Sequence, residues 1–493
     1  MTPHSIIALL TLLCASTQAA QPDEFPLTED SKVRDGVAKG ELIKDKYLAQ
    51  DGSVFPGTER EYAVYVPAGL DKTKPAPFMV FQDGVIYNAP TVFDNLIARK
   101  EIPAMIGIFI KPGVVPAVSD NALPRYNRSY EYDSVTDSYA RFLIDEFLPA
   151  IKPKHGLHLS DDPNARGIAG NSSGGICAFM VAWHRPDQFR RVFTGVGTYV
   201  GIHGADQLPV LVRKFEPKPL RVFLQSGEND NNLYCGDWWF ANQMMERSLS
   251  WNGYEVNHAW GTSGHNAKHA SQIFPEVLRW LWKGYPNEPV KANPRGDAKW
   301  RGGEVVGDGT WELVPDMKGD YLDVDAAGNV KTTEHANARC IRQDGKTFPD
   351  AGTPGRLTGR ILSPDQTQLY VAHRDWNYLE ALQVKADGSL ANGQVYYQLD
   401  TLIEAPVEPR GMCVDTNGWL YVVTNLGVQV CDQAGRVNFI LPAPVTTNDV
   451  CFGGKDLSEL YIACGDQVFK RKTKAKGVVT NGQLPIKPAA PHL

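Results

Sequence analysis

Gly167-Ile168-Ala169-Gly170-Asn171-Ser172-Ser173-Gly174-Gly175-Ile176-Cys177 decides the fold of the N-terminal half of this chain. Its centre, Gly170-Asn171-Ser172-Ser173-Gly174, has the form G-x-S-x-G. Residues 165–169 can run as a short buried strand, and residues 175–183 read as an apolar helix. A serine on a sharp strand-to-helix turn is a nucleophile elbow. The backbone at such a serine is strained. Close packing leaves room for little more than hydrogen at the two flanking positions, so both are glycine. The following helix aims its N-terminal N–H groups at the place where an oxyanion would develop. A G-x-S-x-G by itself also matches glycine-rich loops, so the reading depends on partners that follow in the right order.

Around the elbow, apolar runs alternate with helical patterns. Glu61-Tyr62-Ala63-Val64-Tyr65-Val66 alternates and meets Pro67, which suits a strand near a sheet edge. Residues 77–82 and 104–110 are short continuous apolar runs, the pattern of strands buried on both faces. Residues 91–100 read as a helix between them. Ser134-Val135-Thr136-Asp137 has the form of a capping box. The helix it opens carries Val135, Tyr139, Phe142, Leu143, Phe147 and Leu148 on one stripe and should end near Pro149. Further strands fall at 191–194, 220–225 and 254–260, and further helices at 238–251 and 267–282. This alternation predicts a three-layer α/β domain with a mostly parallel sheet.

The partners of Ser172 follow. The strand at 220–225 runs into Ser226-Gly227-Glu228-Asn229-Asp230, and the G-x-x-D spacing selects Asp230 as the acid, with Glu228 the alternative. Gly261-Thr262-Ser263-Gly264-His265 presents a histidine on a flexible loop before the last helix, whereas His269 reads as structural. Ser172, Asp230, His265 is the nucleophile–acid–base order of α/β-hydrolases. An oxyanion hole would use the Ser173 N–H and a second N–H from Gly84 or Val85. Tyr87, Trp238 and Trp239 are candidates for an aromatic substrate pocket, although such residues are as often core. Arg128 with Glu131 reads as a structural ion pair. The chemistry calls for no metal and no cofactor.

These residues carry a family resemblance. Phe81-Gln82-Asp83-Gly84-Val85-Ile86-Tyr87, Asn127-Arg128-Ser129-Tyr130-Glu131-Tyr132-Asp133-Ser134, residues 140–149, and Gly236-Asp237-Trp238-Trp239 with Asn242-Gln243-Met244 resemble the esterase D and enterochelin-esterase-like group over about residues 55–285. The resemblance implies hydrolysis of carboxylic esters, of the siderophore, feruloyl or acetyl type.

The chain has 493 residues, which sets two domains as the expectation. Its net charge of −6 gives no reason to expect a nucleic-acid partner. Residues 6–13 form an apolar run too short to span a bilayer. They read as a signal-peptide core with cleavage after Thr17-Gln18-Ala19, so a secreted or periplasmic location is expected. The n-region has no Lys or Arg. Removing the signal leaves Cys177, Cys235, Cys340, Cys413, Cys431, Cys451 and Cys464. An odd number without C-x-x-C argues against a disulfide framework or a zinc site, and the last four sit in apolar runs as buried thiols.

A Pro/Gly-rich stretch at 284–296 marks a boundary. Beyond it, four strand–turn–strand stretches recur: Tyr321-Leu322-Asp323-Val324; Ile361-Leu362-Ser363-Pro364-Asp365 with Leu369-Tyr370-Val371; Met412-Cys413-Val414-Asp415 with Leu420-Tyr421-Val422; and Val450-Cys451-Phe452-Gly453 with Leu460-Tyr461-Ile462. Their spacing is that of propeller blades. With Thr447-Asn448-Asp449, they resemble the gluconolactonase-like propellers over about 310–475. The resemblance implies a divalent metal held at blade starts, but Thr358-Gly359 and Arg410-Gly411 replace the expected Asn-Gly and Asp-Gly, and an arginine repels a cation. The expected organisation is a signal peptide at 1–19, an extended segment at 20–54, an α/β-hydrolase domain at 55–285, a linker at 286–305, a β-propeller-like domain at 306–477 and a Pro-rich disordered tail at 478–493. The functional expectation is an exported serine esterase acting on a small-molecule or glycan-linked ester, without a membrane span and with self-association through the propeller left open. The alternatives are a metal-dependent sugar lactonase and a non-catalytic binding protein.

Overall fold

The computed structural model describes residues 25–334, 340–348, 357–403 and 406–491. The expected signal peptide lies outside the described residues. The N-terminal domain is built on strands β1 (Glu41–Leu48), β2 (Glu59–Val66), β3 (Phe78–Gln82), β4 (Ile106–Ile110), β5 (Arg166–Asn171), β6 (Arg191–Gly195), β7 (Arg221–Asn229) and β8 (Glu255–Gly264). They lie side by side in the order β8-β7-β6-β5-β3-β4-β2-β1, extended by two short strands, Val114–Val115 and Arg125–Tyr126. β3 to β8 pair in parallel, while β2 is antiparallel to both β4 and β1. Residues in β3, β4 and β6 are buried throughout, and in β3 and β4 this matches their continuous apolar runs.

Alternation along each strand feeds two cores, one on each face of the sheet. Phe78, Val80 and Ile168 pack with Ile176, Phe179 and Val181 of helix Ser173–His184. Met79, Phe81 and Ala169 pack on the opposite face with Phe93 and Leu96 of helix Ala89–Ala98, and with Phe274 and Leu278 of helix Lys268–Trp282. The result is the expected three-layer α/β domain.

Two sequence expectations are corrected. β2 lies near the sheet edge as expected, but β1 lies outside it, paired along its full length from Glu41↔Val66 to Leu48↔Glu59. β1 falls in the segment expected to be merely extended. Its residues alternate between exposed and half-buried, and Lys44 and Lys46 mark it as a charged edge. The helix expected from Ser134 to Pro149 starts at Ser138, because the Ser134 Oγ bonds the Thr136 N–H instead of capping a helix. It passes through a π-helical turn, Phe142–Phe147, and continues to Lys154. A proline ring clashes with the carbonyl four residues back, and a widened turn just before Pro149 lets the helix continue through it.

The C-terminal half forms antiparallel sheets. Tyr321–Val324 pairs with Val330–Thr333. Leu357–Leu362, Gln368–His373, Tyr378–Val384 and Leu390–Gln398 form a second sheet. Met412–Asp415, Leu420–Thr424, Gly427–Cys431 and Val437–Leu441 form a third, joined by Gly477–Val478. Asp449–Gly453, Glu459–Cys464 and Gln467–Lys472 form the last, closed by Glu312–Leu313 from the start of the domain. The first strand of each sheet lines a common cavity of about 110 Å³. This is the all-β, propeller-like arrangement expected from the four repeats. The seven described cysteines are free, and all but Cys235 are buried.

The two halves share one apolar core, in which Trp183 and Phe215 of the first join Tyr397, Leu402 and Ile440 of the second. Phe215 forms a parallel bridge with Ile440. The Lys214 ammonium sits 2.7 Å from the Asp400 carboxylate, and Arg471, its side chain fully buried, pairs with Glu216 at 3.2 Å. The stretch expected as a linker is packed as well: Trp300 is buried, and its indole N–H donates to the Lys214 carbonyl. Part of the tail expected to be disordered is packed as well. The Gly482 N–H donates to Ile341 O, and Ile486 N–H to Pro364 O.

Candidate active site

The site grows from the turn between β5 and the helix Ser173–His184. Ser172 sits at φ 57, ψ −122, a conformation an L-residue holds only when its surroundings impose it. The surroundings are specific. The Ser172 N–H donates to Gly195 O at 2.8 Å, and its carbonyl accepts from the N–H groups of Gly175 and Thr198 at 2.9 and 3.2 Å. A Cβ on Gly170 would lie 2.0 Å from Gly174 O, and one on Gly174 would lie 2.8 Å from Asp83 Oδ2. Both flanking glycines are therefore steric requirements.

The structure brings Ser172, His265 and Asp230 together across 93 and 35 residues of sequence. His265 Nε2 is 2.8 Å from Ser172 Oγ, and His265 Nδ1 is 2.6 Å from Asp230 Oδ1. The Asp230 side chain is fully buried and that of His265 is 21% exposed. Asp230 Oδ1 also accepts from the Asn231 N–H, and Oδ2 from the Ser226 hydroxyl, each at 2.8 Å. A carboxylate can only accept, so it assigns the proton to Nδ1 and leaves Nε2 as the acceptor facing the serine hydroxyl. Glu228, the alternative acid, is exposed on the same strand.

Two residues of this site were not singled out from the sequence. Thr198 Oγ1 lies 3.3 Å from Ser172 Oγ and accepts the Trp238 indole N–H at 3.2 Å. Ser226 holds the far oxygen of Asp230. Ser226 carries a local signal, a hydroxyl four residues before the acid. Thr198 carries none, since only the fold sets it beside Ser172.

The other expected site residues divide. Ser173 opens the helix, and its N–H belongs to the first turn, whose donors have no partner inside the helix. Gly84 is corrected: its N–H donates to Ile110 O at 3.1 Å and is committed to the sheet. Gly84 and Val85 line a different, open groove with Lys44, Glu61 and Lys111. Tyr87 is corrected too. It is 3% exposed, its ring packs on Phe193 and Phe274, and its hydroxyl donates to Gly170 O at 2.9 Å. It supports the elbow from beneath. Trp238 is buried, with its ring edge-on to His265 at 5.4 Å between centroids, so it braces the histidine. Trp239 is half-buried against Trp260 at 5.5 Å. His269 is buried and stacks on Phe25, the structural role expected.

The Arg128–Glu131 pair is also corrected. Glu131 is bound by Arg60 at 2.8 Å, both side chains fully buried. Arg128 instead forks onto Asp83, Nε to Oδ1 at 2.7 Å and Nη2 to Oδ2 at 2.9 Å, and its Nη1 donates to Ser173 Oγ at 3.0 Å. The Asp83 carboxylate raises the Arg128 pKa further. A bidentate pair fixes geometry as well as charge. Here it ties the loop after β3 to the residue following Ser172.

The central cavity of the second half does not fit the divalent cation its family likeness implies. Asp449 accepts from the Leu322 and Val450 N–H groups at 2.9 Å, and burial pushes its carboxyl up to about 7. Thr358 Oγ1 donates to Pro409 O at 2.6 Å, and Arg410 is held by Glu408 and Thr447 O. Among the described residues, no three His, Cys, Asp or Glu converge to hold a metal ion.

Residues 53–268 match the Esterase family model, and residues 355–465 match the SMP-30/Gluconolactonase/LRE-like region. Curated relatives include regucalcin of Oryctolagus cuniculus, 28% identical over 137 residues, and of Gallus gallus, 30% identical over 138 residues. Each match covers 24% of this chain and 45% of the relative. The chain thus spans less than half the length of these relatives. Similar solved structures include the enterobactin esterase of Shigella flexneri, with 19% identity, 50% of this chain and 61% of that chain covered, and a TM-score of 0.39. Another is a ferulic acid esterase of the anaerobic fungus Anaeromyces mucronatus, with 17% identity, 53% and 96% covered, and a TM-score of 0.38.

Proposed function

We propose that this chain, in which an Esterase-family domain is joined to a gluconolactonase-like region, cleaves carboxylic esters outside the cytoplasm with Ser172 as its nucleophile. The observation that carries the reading is the hydrogen-bonded line from Asp230 through His265 to Ser172, at 2.6 and 2.8 Å. His265 Nε2 takes the Ser172 proton as Oγ attacks the ester carbonyl. Asp230 stabilises the imidazolium, which then protonates the leaving alcohol. A water activated by the same imidazole releases the acid from the acyl-enzyme. The Ser173 N–H and the positive end of its helix stabilise the tetrahedral oxyanion, a contribution of roughly 10²–10³ in rate per donor. The motifs shared with siderophore, feruloyl and acetyl esterases support a siderophore-type or carbohydrate-linked ester as substrate. The second half serves packing or substrate contact, since among the described residues its cavity gathers no cation-binding set of His, Cys, Asp or Glu. The test is hydrolysis of a short-chain aryl ester by residues 21–493 beside Ser172→Ala. Wild-type turnover with near-complete loss in the variant supports the reading, and equal activity in both refutes it.

A further inference from the structure

Where the two halves meet, a cavity of about 210 Å³ opens beside Lys218. At the roughly 30 Å³ of a liquid water, it has room for about seven waters or one small organic molecule. Its walls come from both halves: Trp183 and Phe215 on one side, Leu426, Pro442 and Thr447 on the other. Thr424, Asn425 and Thr447 make the accessible walls more polar than apolar, and the charge is single. Lys218 is half-buried. Its ammonium donates to Trp183 O at 2.6 Å and lies 3.8 Å from the Trp183 ring centroid and 5.3 Å from that of Phe215. Among the described residues no carboxylate pairs with it, and burial alone lowers its pKa to about 7. An ammonium shielded from water is normally paired or neutralised. This one keeps two donor positions and has an open space in front of it.

The charge balance narrows the ligand. His184, the other titratable group on the wall, has its pKa lowered to about 4 by burial and is neutral at pH 7, with Nε2 on Val135 O at 2.9 Å. A bound anion holds Lys218 in its charged form, and that one cation matches one negative charge, so a dianion such as hydrogen phosphate would bring an uncompensated charge into the cleft. The size of the space, with Leu426 and Pro442 on one wall, favours a small organic anion over a bare halide. We propose that the cleft between the two halves is a binding site for a small organic monocarboxylate, its oxygens on the Lys218 ammonium and its body against Leu426 and Pro442. The bound ligand bridges the two halves. The proposal does not depend on the hydrolytic reading of Ser172.

The test titrates benzoate into the full chain by calorimetry at pH 7, with Lys218→Met as the comparison. Methionine keeps the length of the stem and removes a desolvated charge, so the variant is expected to fold. One benzoate should bind per chain, and K218M should weaken it at least tenfold. Benzoate held at the Ser172 site would survive K218M unchanged, and that result overturns the proposal. Chloride binding as tightly as benzoate overturns it as well, because the walls would then contribute nothing. A second readout uses the unaltered chain. Limited acetylation at pH 7, mapped by peptide mass spectrometry, should label Lys218, and saturating benzoate should protect it at least fivefold while exposed Lys72 stays labelled. Failure of benzoate to protect Lys218 overturns the assignment even if K218M does not fold.

Discussion

Replacing Asp230 in two ways separates its charge from its shape. Two donors converge on Oδ1, the His265 Nδ1–H at 2.6 Å and the Asn231 N–H at 2.8 Å, while the Ser226 hydroxyl meets Oδ2 at 2.8 Å. In Asp230→Asn the amide oxygen is therefore held at the Oδ1 position. The amide NH₂ falls opposite Ser226, whose hydroxyl can rotate to accept. The histidine keeps its tautomer and loses only the charge beside the imidazolium. Charge-assisted and neutral hydrogen bonds differ by ~1–1.5 kcal/mol, or roughly 5–13-fold in rate. Asp230→Ala removes the acceptor, frees the tautomer and leaves Ser226 unpaired, so a loss of roughly 10⁴ is expected, the size seen when a triad histidine loses its correct tautomer. The assay is kcat/KM on an aryl ester, with circular dichroism to confirm folding. Equal losses in D230N and D230A would refute the argument that Asn231 orients the amide. No loss in either would remove Asp230 from the mechanism.

Other outcomes follow from the same geometry. Glu228→Gln, an exposed position, should leave kcat/KM unchanged within twofold. Gly170→Ala would put a Cβ 2.0 Å from the Gly174 carbonyl oxygen, and soluble, active protein should be lost, as read from expression and thermal melting. Arg128→Lys replaces a fork with a point charge. Its side chain is 40% exposed, so stability should change by less than ~1 kcal/mol, while kcat/KM falls roughly tenfold as the Asp83 loop loosens. Asp449→Asn tests burial in the second half. The Asp449 pKa is raised to about 7 in the fold. The stability of its protonated form is therefore fully present below the unfolded value near 4 and lost as pH rises through 7. D449N should melt at or slightly below wild type at pH 5 and gain on it by a few degrees at pH 8.

Much of the sheet was legible because β3 and β4 are buried on both faces, which leaves nearly unbroken apolar runs. β1 was not, because an edge strand carrying Lys44, Asp45 and Lys46 has the composition of a loop. The order Ser172, Asp230, His265 could be read because each residue sits at the end of a recognisable strand. The supports around them could not. Arg128 reaches Asp83 across 45 residues, and its nearer carboxylate, Glu131, turns instead to Arg60 across 71. Charge in a sequence shows that pairs will form but not which ones. Tyr87 was misplaced for a backbone reason. It and Asn88 adopt φ of 58 and 53, left-handed values that turn the chain inward and put the ring under the elbow rather than in front of it. Gly84 failed as an oxyanion donor because its N–H completes the hydrogen bonding of β4.

The shared core of the two halves sets how the chain comes apart. Phe215 lies at the C-cap of a helix in the first half and bridges to Ile440 in the second, and Trp300 of the connecting stretch fills the space between Lys214 and Phe439. Cutting near residue 290 would bare these surfaces on both pieces. Heat should therefore melt the molecule in a single calorimetric transition whose van't Hoff and measured enthalpies agree, as for one cooperative unit. In that sense the second half is part of the scaffold that keeps the first one soluble, whatever chemistry it performs.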